Sequence, residues 1–191
     1  MTTRTPALLA AAAALALPLA GLAASPAMAS PAMDAFKTVC WTPANDYVSV
    51  LKAADAAGWS NTQLMPEIQD NVSVTDQGAR EKDDSDGKYT LLVSRGLRHS
   101  SGGDVKEADC KVSFDKADPG LLAEAQSWIG VAPDAAPDAT LATYFVKPVP
   151  GKPQHIAQAD LNTALGAGGF AVLKFQVDAN AVTLVYQTFA K

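Results

Sequence analysis

The chain is short of the residues that carry most protein chemistry. It holds two cysteines and two histidines among 191 residues, with charged residues at 18% and aromatics at 7%. No CxxC or HxxxH spacing surrounds Cys40, Cys110, His99 or His155, so no metal is expected. The absence of G-x-S-x-G removes the usual nucleophile elbow of serine hydrolases. Glu67, Glu81, Glu107 and Glu124 are too scattered to read as paired glycosidase carboxylates. Basic residues are outnumbered, 15 Lys and Arg against 20 Asp and Glu, for a net charge of −5. That balance, with no basic stripe, argues against nucleic acid and against an anionic membrane surface as partners. Gly166-Ala167-Gly168-Gly169 precedes a strand-like run rather than a helix. It reads as a helix stop, and no cofactor is expected.

Asp83-Asp84-Ser85-Asp86-Gly87 imitates a calcium loop. Counted back from Gly87, the first ligand position falls on Lys82 and the twelfth on Val93, so the EF-hand pattern fails. Glu81–Gly87 is expected instead to be a mobile, solvated turn.

What is present begins with a leader. Arg4 is followed by an Ala-rich apolar run, Ala7–Ala24, divided by Pro18, and then by Ala27-Met28-Ala29. Small residues two apart are what signal peptidase reads. Residues 1–29 are therefore expected to be a signal peptide cleaved after Ala29, with Ala23 or Ala24 as earlier alternatives. Residues 30–191 then form a single exported α+β domain, periplasmic or secreted. No membrane span is expected after cleavage. In an oxidising compartment Cys40 and Cys110 should join as a disulfide. Closing a loop of about 70 residues would add roughly 4 kcal/mol at most. An Ala-rich leader ahead of a short domain resembles exported bacterial proteins in composition, with no family motif attached.

The domain is organised around its end, Phe170–Phe189. Two runs rich in β-branched and aromatic residues flank Asp178-Ala179-Asn180, which reads as a β-hairpin. With Val177 opposite Val182, Phe175 faces Leu184, Leu173 faces Tyr186 and Ala171 faces Thr188. That face should be buried. A loop of two or four residues gives this register, and one of three spoils it. Further strands are expected at Lys88–Ser94, Val105–Phe114 and Thr140–Lys147, with a weaker one at Asn71–Thr75. A short helix should lead into Cys40 and break at Trp41-Thr42-Pro43. A second, capped at Asn45 or Asp46, should end at Gly58, and Asp118-Pro119 should open a third. The fold class expected is α+β, a single antiparallel sheet of about five strands with two or three helices packed on one face, closed by the C-terminal β-hairpin.

One stretch has functional character. Arg95, Arg98 and His99 lie in Arg95–Gly103, read as a basic, Gly-rich connection. Guanidinium groups and loop amides can hold a carboxylate or phosphate, so this is the candidate anion site. The primary reading is a monomeric, non-catalytic binding module of the cell envelope, its partner a small anion or a protein. The alternative is an envelope hydrolase assembled from distant residues such as His99, His155 and an acid.

Overall fold

The computed structural model describes residues 30–63 and 71–191. The leader reading of residues 1–29 lies outside them, as does Glu67.

Ser30 caps the first helix, α1 (Pro31–Phe36): its Oγ accepts from the Met33 amide, and Pro31 occupies the first turn, where no N–H partner is needed. The helix does not stop there. It widens into a π-helical turn, Lys37–Trp41, which buries Val39, Cys40 and Trp41. Helix α2 (Tyr47–Ala56) starts at Asp46, whose Oδ2 accepts from the Ser49 amide at 2.9 Å. It ends as expected. Gly58 is left-handed at φ 81°, and the Trp59 amide reaches back to the Ala54 carbonyl at 3.0 Å, the six-to-one bond of a Schellman cap.

The strands are β1 (Ser60–Asn61), β2 (Val72–Asp84), β3 (Gly87–Arg98), β4 (Val105–Phe114), β5 (Leu141–Lys147), β6 (Gln154–His155), β7 (Phe170–Val177) and β8 (Val182–Ala190). Helix α3 (Leu121–Ile129) precedes β5, and α4 (Leu161–Gly166) precedes β7. All strands join one antiparallel sheet in the order β1-β2-β3-β4-β8-β7-β5-β6. The hairpin register is the one read from the sequence, from Val177 opposite Val182 to Ala171 opposite Thr188, across the four-residue connection 178–181.

The expected architecture needs correction in three respects. Among the described residues the sheet has eight strands rather than about five, and there are four α-helices rather than two or three. The hairpin does not close the sheet: β8 lies between β7 and β4, in its middle. Finally, Glu81–Asp84 is not a mobile turn but the end of the long strand β2, which turns at Ser85-Asp86. Ala79 is the one buried residue of β2, so no apolar alternation marks it. Backbone pairing holds it to β3, and ion pairs brace it, Lys88 to Glu81 at 3.0 Å and Arg80 to Asp55 of α2 at 2.6 Å. A smaller correction concerns α3. Asp118 accepts from the Gly120 amide at 3.2 Å and so caps the turn before the helix, which starts at Leu121.

The core lies between one face of the sheet and α1, the π turn, α2 and α3. Met33, Phe36, Val50, Leu121 and Ala125 meet Leu91, Val93, Val112, Tyr144, Leu173, Phe175 and Leu184, all fully buried. Cys40 and Cys110 are joined there, with Cα atoms 5.6 Å apart. The bond ties the π turn to the middle of β4. Replacing both cysteines by alanine should lower the unfolding free energy by about 2–4 kcal/mol, mostly by freeing the unfolded chain. Urea titration measures it; an unchanged midpoint would show that the crosslink constrains little.

Candidate functional site

Side chains on a strand alternate between faces, and this separates the predicted anion cluster. Arg95 and Arg98 belong to β3, not to a loop. Three residues apart, they point to opposite sides of the sheet. Arg95 lies on the helix-covered side, its Nε donating to Asp76 at 2.6 Å and its guanidinium 5.5 Å from the Tyr47 ring. Arg98 lies on the side turned away from the core and grips Glu107 with two donors, the Nη2 bond measuring 2.8 Å. His99 follows the strand and sits between Ser73 and Asp104, 2.8 Å from each. The three residues therefore form no common anion site, and both guanidinium groups already hold carboxylates.

The histidines do not converge either. His155 is on β6, where Nε2 lies 2.9 Å from Asp134. Between β3 and β6 run β4, β8, β7 and β5, which at about 4.8 Å per strand places them roughly 24 Å apart. The hydrolase alternative built on that pair loses its geometry.

What the sheet does create is a hollow of about 380 Å³ on the face turned away from α1, α2 and α3, within the range of small-ligand pockets. Register explains its lining. On β4, Cys110, Val112 and Phe114 face the core while Glu107, Asp109 and Lys111 face the opposite way. Asp109 is paired with Gln187 and Lys111 with Val185 across β8, and Lys174 of β7 stands opposite Val185 on its other side. The rim toward β2 carries Val72 and Val74 beside the polar Gln77, with Leu92 and Ser94 of β3 next to them. Val74 is 47% exposed.

The charged groups of the hollow are layered. Glu107 is 3% exposed and is satisfied by Arg98 and by Gln187, whose Nε2 donates at 2.7 Å. Asp109, two residues on and partly buried, shares a hydrogen bond with Glu107. Burial and the neighbouring Glu107 charge push its carboxyl up to about 7, against the pull of Arg98 and Lys174. Asp109 therefore keeps its proton well above the usual carboxylate range. Among the described residues no group of three or more His, Cys, Asp or Glu could hold a metal.

Of the expected site residues only Arg98 lines this hollow; Asp109, Lys111, Lys174 and Gln187 were missed. The signal was present in Val105–Phe114, where polar residues at 107, 109 and 111 alternate with apolar ones at 110, 112 and 114. The partners on β7 and β8 become neighbours only through the sheet order. Comparison with family models, curated proteins and solved structures finds no match for this chain.

Asp109 generates a pH dependence. Its folded pKa, pushed up to about 7, lies well above the usual aspartate range, so the folded state binds more protons than the unfolded one between about pH 4 and 7. Stability therefore falls as pH rises through that window. Between pH 5 and 8 the loss should be roughly 2 kcal/mol, and Asp109→Asn should flatten it. Urea unfolding at the two pH values checks this; equal slopes for both proteins would show that Asp109 titrates normally.

Proposed function

We propose that this chain is an exported cell-envelope protein, periplasmic or secreted, that binds a small amphipathic anion in the hollow of the sheet face turned away from the core, without transforming it. The observation that carries this reading is the composition of the hollow. Lys174, solvent-exposed, and Lys111 flank Val185, Leu92 stands beside Lys111 on β3, and Val72 and Val74 lie farther out on β2 beside Arg98 and Gly96. A carboxylate or phosphate head at the lysines, with a short apolar tail laid over Leu92 toward Val72 and Val74, would use both kinds of group. The raised pKa of Asp109 reduces the negative charge that such a head would meet.

Export is supported by the start of the domain. The Ser30 amide nitrogen donates to Glu124 Oε2 at 2.7 Å, and Lys37 meets the other oxygen at 3.0 Å. Cleavage after Ala29 would turn that nitrogen into an ammonium already seated on a carboxylate, a charge-assisted bond. The Cys40–Cys110 disulfide fits an oxidising compartment. Among the described residues no helix is long and apolar enough to cross a membrane.

Two measurements test these statements. Octanoate, titrated while backbone amide resonances are followed, should perturb residues of β2, β4, β7 and β8 around the hollow. Lys174→Ala should weaken binding about tenfold, as expected for losing one charged contact, while Arg95→Ala on the opposite face should leave it unchanged. Shifts confined elsewhere, or no effect of Lys174→Ala, would sink the reading. Separately, expression of the full chain in an exporting host followed by intact-mass analysis should give a polypeptide beginning at Ser30. Recovery of the uncleaved chain would remove the export reading.

A further inference from the structure

The contacts of His99 follow an order that neither its loop nor the hollow requires. Ser73 Oγ lies 2.8 Å from His99 Nε2, and His99 Nδ1 lies 2.8 Å from Asp104 Oδ1. An ionised carboxylate can only accept, so Asp104 fixes the proton of neutral His99 on Nδ1. Nε2 is then an acceptor, and Ser73 must donate to it. This is the relation of nucleophile, general base and orienting acid that defines hydroxyl activation wherever it occurs, whatever the local motif.

Several backbone features hold the three side chains. The His99 amide donates to the Asn71 carbonyl at 2.8 Å, pinning the residue beside the start of β2. Ser100 Oγ donates to the Gly103 carbonyl at 2.7 Å, and the Gly103 amide returns to the Ser100 carbonyl at 3.1 Å. Gly103, at φ 105°, then turns the chain so that Asp104 comes back to the imidazole. Gly96 is bare where the Ser73 carbonyl packs, since a Cβ there would collide with it. A bulge between Val74 and Asp76 follows directly, a feature that re-aims side chains on strands.

We propose that Ser73, His99 and Asp104 form a nucleophilic site for acyl transfer from unhindered carboxylic esters. Ser73 Oγ bonds to the ester carbonyl carbon while its proton passes to His99 Nε2. The tetrahedral adduct collapses, the bond to the alcohol oxygen breaks, and that oxygen takes the proton from Nε2. Water then attacks the acyl-serine, giving its proton to Nε2. Collapse releases the carboxylic acid and returns the proton to Ser73 Oγ. Ser73 and His99 are exposed, so the reaction suits an ester at a chain end or on a surface rather than one that needs a walled pocket. Leu97, 39% exposed and paired directly with Ser73, offers an apolar contact on the same face. Ser73 points away from Val72 and Val74, so this site stands independently of the anion reading.

A fluorophosphonate probe on the full chain, with adducts located by peptide mapping, tests the proposal. Ser101, exposed in the same loop, is the internal control. Ser73 should react about a hundredfold faster than Ser101, the scale of general-base assistance, and more slowly as the solution is made acid. His99→Gln should bring Ser73 down to the Ser101 rate. Asp104→Asn, which leaves the imidazole in place and removes only its orienting partner, should slow Ser73 at least severalfold and covers the case in which His99→Gln loosens the loop. A hydrogen-bond chain that merely braced the loop would show no such advantage. Ser73 reacting at the Ser101 rate, or unaffected by both substitutions, overturns the proposal.

Discussion

The seam between β4 and β8 is the constraint on which the rest depends. It joins the strands of the first half of the domain to those of the second, in register from Lys106–Ala190 to Phe114–Val182. Two devices tie the helical layer to it. The disulfide anchors the π turn at Cys110, which is paired with Tyr186. Asn45, buried and in the left-handed region at φ 58°, donates from Nδ2 to the Ala108 carbonyl at 2.6 Å and to the Tyr186 carbonyl at 3.0 Å. A single amide thus bonds to both strands of the seam, and asparagine tolerates that backbone conformation better than most residues.

Because every helix that contributes to the core packs on one side of this seam, the other side is released from the need to be apolar. It carries instead a buried carboxylate, Glu107, which would be costly without partners. Arg98 and Gln187 supply them. Asp109, next in line on the same face, has its carboxyl pushed up by burial and by the Glu107 charge. The charges of the hollow are thus consequences of one-sided coverage. Stability comes from the greasy parity of β4, β7 and β8, and chemical character from the other parity of the same strands.

The β3–β4 end of the sheet adds a second consequence of alternation. Arg95, Arg98 and His99 are neighbours in the chain, yet each meets a different acid: Asp76, Glu107 and Asp104. Proximity in sequence made them look like one positive patch. The pleat distributed them to two faces and a loop, and in doing so put His99 within reach of Ser73, a residue with no distinguishing context in its own strand.

Local pattern alone determined the parts of this protein whose partners lie nearby or whose burial is regular. The hairpin register of β7 and β8, the span of β4, the Schellman end of α2 and the pairing of Cys40 with Cys110 were all legible, because alternation, a left-handed glycine and an even cysteine count each have one economical structural reading. Tertiary structure decided the rest. Strand β2 is polar and held by backbone pairing to β3, so only its start, within the strand expected at Asn71–Thr75, was legible. The placing of β8 inside the sheet, the hollow shared by Asp109 and Lys174, and the contact of Ser73 with His99 each join residues far apart in sequence. Such contacts follow from the order in which strands pair, and that order is set by how the whole apolar surface is covered at once.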